Sequence, residues 1–172
     1  DWSSDVCSSD LPGLLLYDFR RNYFSDGSKL LIIPHNSESN FINSLEGINI
    51  MPLLFSDENY DIILNSNNKE KIIKIFDEKF DVIDKSDIIL SSSLHGLCFA
   101  IALNKKFIWY TTEFNSENSF KYMDFFSYFN IEPKCLNLNN FIINNKINFD
   151  DNLKKYINYI NIQKYDSEIN NF

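Results

Sequence analysis

Residues 87–110 read DIILSSSLHGLCFAIALNKKFIWY, and three patterns follow one another within them. After Asp87 the run Ile88, Ile89, Leu90 is wholly apolar, and three serines follow it. Residues 94–103 are then apolar almost all round, Asn104, Lys105 and Lys106 interrupt, and residues 107–110 are apolar and aromatic again. A short run with no polar alternation predicts a strand covered on both faces. A helix apolar on every side is a buried helix, and serines in front of it supply cap residues. Gly96 and Ala100, four apart, share one helix face and let it approach a neighbour closely. Strand, buried helix and strand joined by short links form a βαβ unit, which implies a parallel sheet.

The same alternation extends outward. Residues 14–17 and 29–33 read as strands, the second stopped by Pro34. Beyond Ser37, residues Phe41, Ile42 and Leu45 suit a short helix, with Gly47 in the place of a C-cap. Residues 48–55, weakened by Pro52, and 61–64 are further strand candidates. Asn67 or Asn68 then caps a helix in which Ile72, Phe76, Phe80 and Ile83 line one face. Asn118 or Ser119 opens a helix to about residue 129, and Asp150 and Asp151 open a last one to about residue 162. Residues 136–149 are Asn-rich and read as loop. The fold class expected is α/β, a Rossmann-like parallel sheet with helices on both faces.

Residues 1–11, DWSSDVCSSDL, have no periodicity and a composition unlike the Ile/Asn/Lys-rich remainder; they look like a translated sequencing adapter and are set apart as non-native. On that reading the chain is the C-terminal part of a longer protein whose N-terminal lobe is missing. Residues 12–135 are then one lobe, and 136–172 an Asn-rich loop and C-terminal helix packed on it.

Composition narrows the function. A chain of 172 residues holds one domain with a core. The net charge of −8, with only two arginines, Arg20 and Arg21, argues against a nucleic-acid partner. Four glycines, at 13, 27, 47 and 96, form neither a dinucleotide fingerprint nor a P-loop. Three cysteines and two histidines are too few and too scattered for a zinc cluster, and an odd, sparse cysteine count suits a reducing compartment. No apolar run approaches the roughly 18–20 residues of a transmembrane segment, and no charged leader precedes an apolar stretch. A cytoplasmic location is therefore expected. The abundance of Asn and Lys follows from an AT-rich coding sequence and lowers the value of any single Asn or Lys as a clue.

Ligands of doubly wound sheets bind beyond the carboxyl ends of strands. Both histidines fall at such places: Pro34-His35-Asn36 follows one expected strand, and Ser91-Ser92-Ser93-Leu94-His95-Gly96 follows another. The free N–H groups of a helix start, with the hydroxyls of Ser92 and Ser93, can cradle a phosphate or carboxylate. Plain N-capping is the commoner reason for a serine run, and His35 alone reads as a loop or satisfied core histidine. His95 is harder to dismiss, because a polar ring in the first turn of a buried helix needs a partner or a cavity.

The stretch 87–110, followed by Phe120-Lys121-Tyr122-Met123-Asp124-Phe125-Phe126, resembles the polysaccharide pyruvyl transferase family. That family has a strand, a Ser-(Ser/Arg)-Leu-His-Gly turn, an Ala-rich apolar helix, a strand and then an F-K-(x)2-D-(aromatic) segment. Ile33-Pro34-His35 is similar to the family's upstream turn, and the resemblance spans about residues 14–131. It implies transfer of the pyruvyl moiety of phosphoenolpyruvate to two hydroxyls of a sugar, forming a cyclic ketal with loss of phosphate. The acceptor implied is a glycan of a surface polysaccharide or its lipid-linked oligosaccharide precursor, which would place the protein at the inner face of the membrane. No cofactor and no metal is implied beyond the donor substrate. The fold implied is the C-terminal, donor-binding lobe of an architecture like that of B-type glycosyltransferases.

Carried residue by residue, the resemblance makes His95 the acid/base or a charged ligand to the donor phosphate. It places Ser92, Ser93, Leu94, Gly96 and His35 around the donor, Lys121 as its clamp and Asp124 as an orienting group. Without it, Lys121 and Asp124 are an ordinary i,i+3 surface pair worth about 0.2–0.5 kcal/mol. Many members carry arginine immediately before Leu-His where this chain has Ser93, which removes a bidentate clamp. Arg20 or Arg21, after the first strand, is positioned to compensate or is a solvated basic pair. The rivals are a B-type glycosyltransferase using a nucleotide sugar, which needs a base and ribose site, and a non-catalytic binding module presenting the aromatic segment 120–129.

Overall fold

The computed structural model describes residues 29–52, 68–112 and 119–161, with the single positions 59, 62 and 65. Its element order begins with β1 (Leu30–Ile33), a 3-10 turn (Asn36–Glu38), α1 (Ser39–Ile42) and β2 (Asn49–Ile50). There follow α2 (Lys69–Asp84), β3 (Ile88–Ser91), α3 (Leu94–Ala102), β4 (Lys106–Thr111) and α4 (Ser119–Tyr128). The described chain closes with β5 (Cys135–Asn137), a second 3-10 turn (Leu138–Phe141), a hairpin of β6 (Ile142–Ile143) and β7 (Lys146–Ile147), and α5 (Asp151–Lys154). Five strands form one sheet in the order β2-β1-β3-β4-β5, and every pairing is parallel. This is the Rossmann-like α/β sheet that the alternating pattern predicts.

Each central strand divides its side chains between two cores, as a period of two requires. Leu31, Ile33, Ile89, Phe107 and Trp109 face α2, α3 and α4, where they meet Ile83, Leu97, Ile101, Tyr122, Phe125 and Phe126. Ile32, Leu90, Ile108 and Tyr110 face the other way, onto Ile42 and Leu45 near α1 and onto Leu138 and Leu153 from the C-terminal segment. Helix α3 is buried along most of its length, with Gly96 against the end of β1: a Cβ there would lie 2.3 Å from Ser91 Oγ and 2.9 Å from Ile33 Cγ2. The expected close approach is thus made at Gly96, onto β1 and β3.

Several expectations are corrected. Helix α1 ends at Ile42, so Gly47 (φ +73°) turns the chain five residues further on instead of capping it. Of the strand expected over 48–55, Asn49–Ile50 pairs in the sheet, Pro52 beyond it has no N–H to donate to a ladder, and residues 53–55 lie outside the described residues. Ile62, inside the strand expected over 61–64, is helical. Asn68 is the cap of α2, its Oδ1 accepting from the N–H groups of Glu70 and Lys71, and only the C-terminal half of the expected apolar face docks. Phe76 stays 37 % exposed, while Phe80 packs on the core and Ile83 is fully buried. The expected loop 136–149 contains the end of β5 and the β6–β7 hairpin, whose turn residues Asn144 and Asn145 both have positive φ. The last helix is a single turn, after which Asn158 bridges to Phe107. Residues 1–28, including the strand expected at 14–17, Arg20 and Arg21, lie outside the described residues, as do Asn67 and Asn118.

The strand order locates the crevice. From β2 the chain crosses back past β1 to reach β3 and then runs outward through β4 and β5. The direction of winding reverses between β1 and β3, and it is at the carboxyl ends of such a strand pair that doubly wound sheets open a binding crevice. Ile33 and Ser91 are register partners there, so Pro34-His35 and Ser92-Ser93 leave the sheet side by side.

Candidate functional site

The two turns are tied together by serine hydroxyls. Ser91 Oγ donates to the Ile33 carbonyl (2.7 Å) and accepts from the Ser93 N–H (3.1 Å). Ser92 Oγ accepts the His35 N–H (2.8 Å) and donates to Glu38 Oε2. Glu38 is completely buried, and its other oxygen accepts from the Thr112 hydroxyl just beyond β4. The Ser92 carbonyl accepts from the Tyr122 hydroxyl of α4. The carboxyl ends of β1, β3 and β4 and the start of α4 therefore converge on one dipeptide, Ser92-Ser93. Tyr110 lies beside this network, near enough to Ser92 and Glu38 to sense both yet outside hydrogen-bonding geometry, and burial first and the Glu38 charge second push its phenol well above the usual range.

Helix α3 starts above this support. Ser93 is its N-cap, in extended conformation, and makes no side-chain capping bond. The first N–H groups of the helix have no intrahelical acceptor. Capping, the commoner explanation of the serine run, is not what these hydroxyls do: Ser91 and Ser92 are spent on joining strands. Ser92 is fully buried and its hydroxyl donates a hydrogen bond to Glu38, where a ligand was expected. The Leu94 side chain belongs to the core. Gly96 is a packing residue, for the reason its missing Cβ shows.

His95 is exposed and His35 partly buried. Both imidazoles are held below their ordinary value, by desolvation first and by the Lys121 ammonium second, while Glu38 acts in the opposite sense on His35. Lys121 thus stands within Coulombic reach of both rings. The His35 Nδ1 accepts the Ser37 N–H (3.3 Å) and lies 2.8 Å from its hydroxyl, which leaves the proton of the neutral ring on Nε2. The Lys121 Nζ lies 5.2 Å from the Tyr122 ring centroid, and that ring stacks on Trp109 at 4.9 Å. Among the described residues Lys121 makes no ion pair, so the surface pair with Asp124 is not formed. Asp124, partly buried one turn along α4, accepts the Ser127 hydroxyl through its carbonyl.

The structure brings together His35, Ser93, His95 and Lys121. Arg20 lies outside the described residues. Sequence reasoning missed Glu38, Thr112 and Tyr122, whose hydrogen-bond partners are 30 to 74 residues away, and Tyr110 beside them; the only local signal was a lone acid close behind Pro34-His35. Among the described residues the crevice gathers two imidazoles of lowered pKa, an ammonium with no ion-pair partner and helix N–H groups with no intrahelical acceptor, which is the chemistry of an anion site with proton-transfer groups. Among the described residues no three His, Cys, Asp or Glu side chains are grouped to hold a metal ion, and no helix is long and apolar enough to cross a membrane.

No curated protein and no solved structure matches the chain. A family model, polysaccharide pyruvyl transferase, matches residues 6–113. The matched span begins inside the stretch 1–11 set apart by composition, carries His35 and Ser91 to Gly96, and ends before Lys121 and Asp124. Since it covers more than half of the sequence, the chain belongs to the polysaccharide pyruvyl transferase family, whose members are transferases of polysaccharide biosynthesis.

Proposed function

We propose that the crevice between β1 and β3 takes phosphoenolpyruvate and that the protein transfers its pyruvyl group to two hydroxyls of a sugar in a surface glycan or its lipid-linked precursor, at the cytoplasmic face of the membrane. The observation that carries this reading is the convergence of His35, His95 and Lys121 on one helix start, in a chain whose net charge is −8. An acidic protein repels a phosphate-bearing acid unless positive charge stands at the site, which Lys121 supplies beside two imidazoles able to take up a proton.

The reaction needs a proton delivered to the enol methylene, positive charge accommodated at the neighbouring carbon, and a proton removed from each sugar hydroxyl. One hydroxyl proton ends on the new methyl group and the other leaves with the departing phosphate. In this reading His95, exposed and with no side-chain partner among the described residues, is the catalytic acid/base, and its neutral resting state suits a group that first accepts a hydroxyl proton. Lys121 and the N–H groups at the start of α3 hold the phosphate or carboxylate, with the Ser93 hydroxyl beside them. His35 offers its Nε2–H as a neutral donor. Asp124 orients a sugar hydroxyl, Arg20 stands in for the arginine that Ser93 replaces, and the lobe likeness to B-type glycosyltransferases belongs to the same reading.

The test is phosphate release from phosphoenolpyruvate by the full-length protein with a glycan acceptor. His95→Ala lowers the rate by about 10²–10⁴-fold while the far-ultraviolet circular dichroism is retained. Near-normal turnover in the folded variant contradicts the assignment.

A further inference from the structure

We propose that Glu38 is a positioning residue of this crevice, a buried carboxylate that acts through the Ser92 hydroxyl to set where His35 and His95 stand. The proposal rests on the pyruvyl-transfer reading only for its turnover readout. A carboxylate with no exposed surface persists in a core only when its oxygens are hydrogen-bonded, and Glu38 gives one oxygen to Ser92 and the other to Thr112. Those partners leave the ends of β3 and β4, while Glu38 itself follows β1, so one side chain fastens three strand ends.

The consequence runs through a single hydroxyl. A hydroxyl has one proton, and Ser92 spends its proton on Glu38, so its oxygen is left to accept the His35 N–H at 2.8 Å. The same residue holds α4 through its carbonyl and Tyr122, and directly precedes the cap of α3, whose first turn carries His95. An amide in place of the carboxylate removes the charge and brings a donor to a place occupied by donors. The Ser92 hydroxyl is then free to reverse, and it no longer enforces the His35 turn.

Charge distinguishes this role from mere filling of space. His35 faces Lys121 and Glu38, which act on it in opposite senses, whereas His95 faces Lys121 and draws nothing resolved from Glu38. Among the described residues Tyr110 and Tyr122 are the other titratable groups at the network. In the full-length protein, imidazole resonances followed against pH therefore give separate readouts for the two rings. With Glu38→Gln the midpoint of His35 falls and that of His95 stays. The same variant lowers kcat about 10²-fold and changes KM less than about threefold, because the loss is of placement rather than of ligand contact.

Thr112→Val keeps the charge and removes one of its two holders. It lowers kcat without lowering the His35 midpoint, and it supplies the test if Glu38→Gln does not fold. Midpoints that fall together or not at all in folded Glu38→Gln overturn the proposal, as does unchanged kcat in both variants. If the wild-type protein releases no phosphate from phosphoenolpyruvate, the pyruvyl-transfer reading fails by itself, and the two imidazole midpoints still decide the role of Glu38.

Discussion

His35 and His95 share a cause for their neutrality, and that cause makes a measurable demand on folding. In the native chain both rings are partly desolvated and then opposed by Lys121, so their pKa values lie below the unfolded-chain value of about 6.5. Below that value the unfolded chain binds more protons than the native one, and stability is lost as pH falls through the folded values. Urea midpoints are therefore lower at about pH 5.5 than at about pH 7.5, and replacing both residues by Asn flattens this dependence. Cys98 behaves oppositely: burial pushes its thiol up to about 12, which makes it an inert core residue and not a nucleophile of the site. At this scale the histidines were legible in the sequence because each follows an apolar run. Glu38 was not, since nothing local reveals that its oxygens face hydroxyls 54 and 74 residues away.

Helix α3 is the element on which the site depends, and its seating is set by a missing atom. A methyl group at Gly96 would press on Ser91 Oγ and Ile33 Cγ2, both held within the sheet. Gly96→Ala is expected to destabilise the fold by about 1–3 kcal/mol, the usual cost of overpacking, as read from chemical denaturation. The other pole of the helix layer is fastened by Lys105, whose Nζ is 3.0 Å from Asp84 Oδ1 with only 13 % and 5 % of the two side chains exposed. Lys105→Met strands the Asp84 carboxylate and costs about 3–5 kcal/mol, whereas changing both partners to apolar residues costs much less. The β3–α3–β4 unit could be read in advance because propensity, burial and punctuation agree there. The C-terminal hairpin could not: its Asn residues looked like composition, yet Asn104, Asn130, Asn144 and Asn145 are the non-glycine positions of positive φ among the described residues, a conformation Asn tolerates better than most residues.

On the scale of the whole molecule, the order β2-β1-β3-β4-β5 gives the assembly of the site its logic. Reversal of winding between β1 and β3 opens the crevice, and two turns that are 57 residues apart in sequence meet there through a hydroxyl. Sequence periodicity could indicate parallel strands but not their order, because the pattern of a buried strand is the same at any place in the sheet. The acidic balance gains meaning from the same geometry, since acidic residues outnumber basic ones by 24 to 16 and three groups able to carry positive charge are gathered at one place. The most direct test of this account is to follow the His35 and His95 imidazole resonances of the full-length protein while phosphoenolpyruvate is added. Both sets are expected to shift together and saturably, with the response abolished in Lys121→Met. Resonances that stay still with phosphoenolpyruvate but move with a nucleoside diphosphate would contradict it.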